Sequence, residues 1–231
     1  MAKQRGPVAS FYSGRLGNTV GAKLKGGEYV SRSYQPNVKN PNTKRQQVSR
    51  NKMALASQYA AALSVAIKIG YAMATASTKM FARNMFVRNI VPVSKGILTN
   101  NGTEITADLT KLPVSQAIGI AETPVIAVSA GTEAGSKKID ASNAASVVLE
   151  QGDTLGLVVV ALNEAGTASL VRQGVATDGV TLSAADLRNI GNGHYYAFFK
   201  AIPQAVNGVA STDQPWMYPS KTSGSVLFTL A

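Results

Sequence analysis

The segment Thr154–Leu162 (TLGLVVVAL) has the pattern of a β-strand, and its part Gly156–Leu162 is a nearly continuous aliphatic run from which the rest of the chain is best understood. Its length is that of a strand rather than a helix. Because apolar residues follow one another without alternation, both faces of this strand are expected to be covered. The tetrapeptide Asn163-Glu164-Ala165-Gly166 then turns the chain back. The run therefore predicts a central, buried β-strand.

Short β-like segments separated by turn residues surround this strand throughout residues 96–231. The Asn101-Gly102 pair predicts a hairpin that joins residues 97–99 to residues 104–108. Further strands are predicted at residues 124–129, 167–172, 195–201 and 225–230. About seven short strands favour an immunoglobulin-like β-sandwich, with Tyr195 or Tyr196 as a tyrosine corner. Since the chain has no cysteine, only the architecture of that fold is implied.

The N-terminal part reads as an arm followed by a β-hairpin. Residues 1–13 show no periodicity, and residues 19–34 surround the turn dipeptide Gly26-Gly27. A two-residue turn there pairs Lys25 with Glu28, Leu24 with Tyr29 and Lys23 with Val30. The hairpin then has an apolar face and a basic face: Val20, Ala22, Leu24 and Tyr29 on the first, and Lys23, Lys25, Glu28 and Arg32 on the second.

A long helical segment follows the hairpin. Thr43 and Gln46 fit a capping box, with Thr43 as N-cap. Apolar residues then recur at helical spacing, at Val48, Leu55, Tyr59, Ala62, Leu63, Ala66 and Ile67. We expect Gly70 or residues 75–78 to bend the helix, and a second helical piece to end at Pro92. Residues 53–76 are long enough to cross a membrane, but Gln58, Lys68 and many Ala and Ser favour a packed helix over a membrane span.

The fold class expected from these patterns is α+β. Residues 1–95 form a basic arm, a β-hairpin and long helices, and residues 96–231 form the immunoglobulin-like β-sandwich domain.

Charge divides the chain at the same place. The chain carries a formal net charge of +11 at pH 7. Residues 1–95 hold 16 Lys and Arg against the single acid Glu28, a net +15, whereas residues 96–231 hold 7 bases and 11 acids, a net −4. Such asymmetry favours a polyanionic partner for the basic part, either nucleic acid (DNA or RNA) or an acidic protein surface, over a basic surface kept only for solubility.

The candidate nucleic-acid contacts are the bases of the arm, the hairpin and the first helical turns: Lys3, Arg5, Arg15, Lys23, Lys25, Arg32, Lys39, Lys44, Arg45, Arg50 and Lys52. Cations at a helix start oppose the helix dipole, so an anionic partner would offset that cost. No helix-turn-helix, zinc-finger or RNP signature is evident, so binding is expected to be non-specific. Four aromatic residues of this region can stack on bases, namely Phe11, Tyr12, Tyr29 and Tyr34, although packing of the tyrosines within the hairpin is the simpler expectation.

Residue chemistry argues against catalysis. His194 is the single histidine and lies in a Gly-Asn-Gly turn, and no cysteine is present. The acids are scattered singly, without the spacing of a calcium loop, and no P-loop or dinucleotide fingerprint occurs. We therefore expect no enzyme activity, no metal site and no cofactor.

Two motifs resemble an uncharacterised family that is associated with Bacteroidetes genomes and their phages. They are S-G-x-x-G-N-x-V-G from Ser13 and N-P-x-T-x-x-Q-x-x-x-R-x-K from Asn40. The chain departs from the family pattern at Leu24, where tryptophan is expected, and at Met53, where an aromatic residue is expected. The resemblance implies a phage context and helices followed by a β-rich domain, and it implies no activity.

These observations predict a structural phage virion or assembly protein whose basic part contacts nucleic acid and whose β-domain packs against other virion proteins, as a homo-oligomer. Residues 1–13 lack the apolar core of a signal peptide, so we expect the host cytoplasm before assembly and the virion afterwards. Two alternatives remain open. One is a coat protein with a basic inner arm and a jelly-roll shell domain, and the other is an immunoglobulin-like adhesion module.

Overall fold

The computed structural model describes residues 14–23, 29–36, 42–76, 78–102, 104–149, 153–202, 205–206, 209–210 and 221–230. The α-helices are α1 (Lys44–Ala62), α2 (Ser64–Gly70), α3 (Ala72–Ala76), α4 (Ala82–Ile90) and α5 (Ala184–Ile190). The N-terminal strands are β1 (Gly14–Leu16), β2 (Thr19–Lys23) and β3 (Tyr29–Ser33). The later strands are β4 (Leu98–Asn100), β5 (Ile105–Ala107), β6 (Ile126–Ala130), β7 (Lys137–Ala141), β8 (Thr154–Leu162), β9 (Ser169–Val175), β10 (Val180–Leu182), β11 (His194–Ile202), β12 (Ala205–Val206), β13 (Val209–Ala210) and β14 (Val226–Phe228). Single 3-10 turns occupy Val93–Lys95, Leu109–Lys111 and Ala144–Ser146.

Strand β8 lies in the middle of the molecule, which confirms the prediction from its sequence. It belongs to an antiparallel sheet in the order β14-β11-β8-β9. It pairs with β11 along its whole length, from Thr154 opposite Ile202 to Leu162 opposite His194. Every β8 residue after Thr154 is buried. An unbroken apolar strand is stable here because both of its faces are covered.

Two hydrophobic clusters cover the two faces of this sheet. On one face Val158, Val160 and Phe198 pack against α1, α2, α4 and the β4–β5 hairpin. On the other face Leu157 and Phe199 pack against a second antiparallel sheet, of order β10-β7-β6, and against α5. The chain is therefore a mixed α+β structure, with helices on one side of the central sheet and a second sheet on the other.

The packing crosses the division at residue 95 that the charge distribution suggests. The first cluster joins Ala56, Tyr59 and Phe86 from the helices to Leu98 of β4 and Val158 of β8. The helices therefore bury their apolar faces against residues of the C-terminal part. The boundary describes the distribution of charge, whereas the hydrophobic core draws on both sides of it.

The predicted long helix is interrupted earlier than expected. The capping box is confirmed, because the Gln46 N–H donates to Thr43 Oγ1 and the Thr43 N–H donates to Gln46 Oε1, each at 3.4 Å. The chain then bends by 83° between α1 and α2 at Leu63 and is interrupted again at Tyr71. Leu63 and Tyr71 are both 0% exposed, so each interruption carries a large side chain fully into the core.

No described helix is by itself long and apolar enough to span a membrane. The pair α1 and α2 meets the length and hydropathy requirement only when the two are joined across their bend.

The predicted N-terminal hairpin is present as β2–β3, but its register differs by one residue. Lys23 pairs with Tyr29, and Val20 pairs with Arg32. Residues 24–28 lie between the paired strands, an odd number that a two-residue Gly-Gly turn does not accommodate. Because a one-residue shift moves every side chain to the opposite face, Arg32 shares a face with Val20 and not with Lys23. The predicted separation into an apolar and a basic face is therefore wrong for β3. The predicted positions of Leu24, Lys25 and Glu28 lie outside the described residues.

A further strand completes a three-stranded sheet in the order β1-β2-β3. Leu16 pairs with Thr19, so Gly17 and Asn18 form a two-residue turn, with Gly17 at a φ of 57°. A Gly-Asn dipeptide is a turn signal of the same kind as Gly-Gly, and it accounts for the β1–β2 turn. No described residue of this sheet belongs to either hydrophobic cluster.

The β4–β5 hairpin is confirmed, with its turn one residue later than predicted. Leu98 pairs with Ala107 and Asn100 pairs with Ile105. The Asn101 N–H donates to the Glu104 carbonyl at 3.1 Å, which places Gly102, at a φ of 93°, inside the turn. Strands β7 and β10 and helix α5 were not predicted, because their short sequences contain few consecutive apolar residues.

Candidate nucleic-acid interface

The predicted contact residues that the structure describes lie on two parts of the molecule, the small β1-β2-β3 sheet and helix α1. Arg15, Lys23 and Arg32 lie on β1, β2 and β3, one on each strand of the small sheet. Lys44, Arg45, Arg50 and Lys52 lie on α1. Lys3, Arg5, Lys25 and Lys39 lie outside the described residues.

Two arginines share one face of the small sheet. Arg15 pairs with Val20, and Val20 pairs in turn with Arg32, so the three side chains form one row across the strands. Arg15 and Arg32 are exposed, and Val20 between them is half-buried. Since adjacent strands are about 4.8 Å apart, the two arginine Cα atoms are about 10 Å apart. The row therefore presents two guanidinium groups on one surface.

The Arg15 guanidinium is held by its neighbours. Its Cζ lies 3.7 Å from the centroid of the Tyr34 ring, a stacked cation–π arrangement. Its Nε donates to the Gly17 carbonyl at 3.1 Å, within the β1–β2 turn. The Tyr34 N–H donates to the Asn18 carbonyl at 2.6 Å and so fixes the ring beside that turn. Arg15 is thereby oriented by contacts made entirely within the small sheet.

A second cation–aromatic pair lies on the opposite face. Lys23 Nζ is 5.7 Å from the centroid of the Tyr29 ring, and the two residues are directly paired. Of the aromatic residues considered for base stacking, Tyr29 and Tyr34 therefore both lie against a cation of this sheet. In this structure Tyr29 and Tyr34 therefore pack within the sheet, which is the simpler of the two expectations.

The first two turns of α1 form the other basic surface. No residue from 44 to 51 is buried, and Lys44, Arg45 and Arg50 are exposed. The far end of α1 is fixed to the central sheet, because Ser169 Oγ donates to the Ala62 carbonyl at 2.7 Å. With a rise of about 1.5 Å per residue, the unburied segment is about 12 Å long. Lys44, Arg45 and Arg50 therefore lie on a part of α1 that does not pack into the core.

Lys52 differs from the other candidates because it is only 7% exposed. It lies four residues before Ala56 and seven before Tyr59, on the helix face that packs into the first cluster. A side chain this buried offers little surface to a phosphate. The sequence places Lys52 among the basic residues by its charge, whereas the helical periodicity from Ala56 onward places it on the core face.

Arg83 joins the basic surface although it was not among the predicted contacts. Its Nη2 donates to the Ser57 carbonyl at 3.4 Å, which brings α4 alongside α1. Ser57 lies two turns after Arg50, so Arg50 and Arg83 are on the same side of α1. Arg88 is also exposed on α4. The sequence signal for both is their charge, because Arg83 lies only three residues before the buried Phe86 and helical spacing does not separate these two.

Three described carboxylates pair with cations beyond residue 95. Salt bridges of described residues join Asp108 to Lys111 at 2.7 Å, Asp140 to Lys138 at 3.0 Å and Asp186 to Arg172 at 2.8 Å, all beyond residue 95. Glu28 is the single acid of residues 1–95. One acid against 16 Lys and Arg leaves residues 1–95 with a large net positive charge.

The C-terminal part holds a buried lysine on the central sheet. In the part of the chain that the structure describes, no group of three or more His, Asp or Glu side chains is placed to hold a metal ion. Lys200 of β11 is 6% exposed, and burial lowers its pKa. It stands on the central sheet, opposite Gly156, and apart from the basic surfaces.

No protein-family model, no curated protein and no solved structure matches this chain.

Proposed function

We propose that this chain is a non-enzymatic structural protein of a phage virion, or of its assembly, that binds nucleic acid through its basic N-terminal part. The observation that carries the proposal is the group of exposed cations on the β1-β2-β3 sheet and on α1. Residues 1–95 contain one acid against these cations. Cations placed in this way attract a polyanion and release its counterions, which gives affinity without base reading.

Two features of the described cations support a phosphate ligand over a merely soluble surface. Lys44 and Arg45 occupy the first turn of α1, where the helix dipole already disfavours positive charge. Arg15 is oriented by Tyr34 and Gly17, whereas a cation that serves only solubility needs no such support. A bound phosphate would offset the unfavourable positive charge at the start of α1. It would also accept hydrogen bonds from the oriented Arg15 guanidinium.

We propose further that the β-domain is immunoglobulin-like. In chain order β6, β7, β8, β9, β10, β11 and β14 correspond to strands A, B, C, C′, E, F and G. The sheets β10-β7-β6 and β14-β11-β8-β9 then read E-B-A and G-F-C-C′, the grouping of such sandwiches. The Tyr195 hydroxyl donates to the Gly191 carbonyl at 3.1 Å, as a tyrosine corner requires.

The β-domain is proposed to pack against other virion proteins or further copies of the chain, in the virion after assembly in the host cytoplasm. Immunoglobulin-like sandwiches serve many functions, so the role rests on the phage resemblance and not on the fold.

The test compares two double variants of the full chain in binding to labelled nucleic acid. Lys44→Ala/Arg45→Ala removes two exposed cations from α1, and Lys111→Ala/Arg188→Ala removes two exposed cations from the C-terminal part. If each of the α1 cations contacts one phosphate, the first variant is expected to bind about 50-fold more weakly at 0.1 M salt, and the second variant less than 3-fold.

Equal losses in the two variants would mean that only the net charge matters and would contradict a localised interface. Absence of binding by the unaltered chain at 50 mM salt would contradict the proposal altogether. Thermal unfolding of both variants checks that neither substitution pair disturbs the fold.

A further inference from the structure

We infer that the β1-β2-β3 sheet binds duplex DNA across the major groove, with Arg15 and Arg32 on the phosphates of its two edges and Tyr34 as a support for Arg15. This inference rests on the proposed function, since it names the class of nucleic acid and the contact geometry for the same basic surface.

The spacing of the two arginines is the first argument. Arg15 and Arg32 lie in one row on one face, two strand spacings apart, which is about 10 Å between Cα atoms. The major groove of B-form DNA is about 12 Å wide. The Cα separation of these two exposed arginines is therefore close to that width, with the half-buried Val20 between them. A-form RNA has a deep and narrow major groove that does not admit a sheet in this way.

The position of Tyr34 is the second argument. Proteins that bind single strands without sequence preference stack bases on open aromatic rings. The Arg15 guanidinium already lies 3.7 Å from the Tyr34 centroid and covers one face of this half-buried ring. Tyr34 therefore acts through Arg15 and orients a planar cation, which suits the fixed phosphates of a duplex better than unstacked bases.

The third argument is that the sheet is built separately from the core. None of its described residues belongs to either hydrophobic cluster. Its geometry is set instead by the Gly17-Asn18 turn, by the Tyr34 N–H bond to Asn18 and by the Arg15 contacts. The described contacts that orient Arg15 therefore do not depend on the hydrophobic core.

The experiment measures binding of the full chain to a 25-bp DNA duplex, to one of its single strands and to an RNA duplex of the same sequence, in a salt series. Duplex DNA is expected to bind most tightly at every salt concentration. Arg15→Ala and Arg32→Ala are each expected to lower duplex affinity by about 5- to 10-fold at 0.1 M salt, and to reduce the salt slope by about 0.9. Arg188→Ala, the same charge change on α5, is the matched control and is expected to change neither.

Variants of Tyr34 separate support of Arg15 from stacking on bases. Tyr34→Ala is expected to weaken duplex binding about 2- to 5-fold, the size of an exposed cation–π contact, and Tyr34→Phe to leave it unchanged. In the Arg15→Ala background, Tyr34→Ala is expected to cost nothing further, because its effect passes through Arg15.

Three results would overturn the inference while leaving the proposed function intact. They are tighter binding of the single strand than of the duplex, equal binding of RNA and DNA duplexes, and a loss on Tyr34→Ala that persists when Arg15 is already removed. Absence of binding to every nucleic acid at 50 mM salt would overturn the proposed function as well.

Discussion

The pair Arg172 and Asp186 ties strand β9 to the first turn of α5. Arg172 donates from Nη2 to Asp186 Oδ1 at 2.8 Å and from Nε to Oδ2 at 3.2 Å, a bidentate arrangement. The same carboxylate accepts from the Ser183 N–H at 3.2 Å, while the Asp186 N–H donates to Ser183 Oγ, so Asp186 also completes a capping box. Asp186 is 8% exposed, whereas Arg172 is exposed, so the carboxylate is the buried member of the pair.

The ionisation of Asp186 links this contact to pH. Burial by itself raises the pKa of the Asp186 carboxyl, but the Ser183 N–H, the Arg172 guanidinium and the Ser183 hydroxyl together hold the pKa below its ordinary value. Because the pKa is lower in the folded than in the unfolded chain, the stabilisation is fully present above the unfolded value of about 3.9 and disappears as the pH falls through the folded value.

Asp186→Asn tests this linkage. At pH 7 the variant is expected to lose about 1–3 kcal/mol of unfolding free energy, the worth of charge-assisted hydrogen bonds. Its stability is expected to fall less steeply than that of the unaltered chain below about pH 4. Urea unfolding at several pH values measures both effects, and Asp178→Asn, at an exposed carboxylate, is the control. Parallel pH profiles for the Asp186 variant and the unaltered chain would contradict the assignment.

Helix α2 ends at a point where three segments meet. The Gly70 carbonyl accepts from the Gln116 N–H at 3.0 Å and from Thr222 Oγ1 at 3.3 Å. A Cβ on Gly70 would lie 2.6 Å from the Val114 carbonyl oxygen and 2.8 Å from Ser115 Cα. These are backbone atoms, so no rotation of a side chain relieves the contact. The helix end is therefore fitted to the segment that leads into the β-domain.

Gly70→Ala tests this fit, because two effects of opposite sign compete there. Alanine is favoured over glycine within a helix by up to about 1 kcal/mol. Overpacking against fixed backbone costs about 1–3 kcal/mol, so a net loss of about 1–2 kcal/mol is expected. Gly224→Ala, where a Cβ meets only Thr123 Cγ2 at 3.5 Å, is the control and is expected to change stability by less than about 0.5 kcal/mol. A stabilised Gly70→Ala chain would show that α2 does not approach Val114 this closely.

The elements that sequence predicts well are those whose signal is local. The β8 run, the Thr43–Gln46 capping box and the helix that ends before Pro92 each depend on neighbouring residues alone, and each is found in the structure. The bend at Leu63 is decided by burial of that side chain against distant residues. The β2–β3 register differs by one residue from the register that the Gly-Gly dipeptide predicts, and this shift puts Arg32 on the same face as Val20.

The candidate interface is likewise predicted only as far as its signal is local. Charge identifies the basic part of the chain, because composition is independent of folding. It does not separate the exposed Arg50 from the buried Lys52, two residues later on the same helix, or reveal that Tyr34 orients Arg15. Those distinctions arise from packing on α1 and from the pairing of three strands.

Across the whole molecule, charge and packing divide the chain differently. The net charge changes sign near residue 95, while the first hydrophobic cluster unites the helices with β4, β8 and β11. A chain that began at residue 96 would lose the helical half of that cluster and would expose Val158, Val160 and Phe198 of the central sheet. The function of the basic part is therefore tested in the full chain by substitution, and not by truncation.

The measurement that tests the central claim most directly is the affinity of the full chain for a DNA duplex between 50 and 400 mM salt. The described and exposed candidates are Arg15, Lys23, Arg32, Lys44, Arg45 and Arg50, and each phosphate contact contributes about −0.9 to the slope of log K against log salt. A straight line with a slope of about −3 to −5 is predicted. A slope near zero, or no binding at 50 mM, would contradict the account and would assign the basic surface to an acidic protein partner instead.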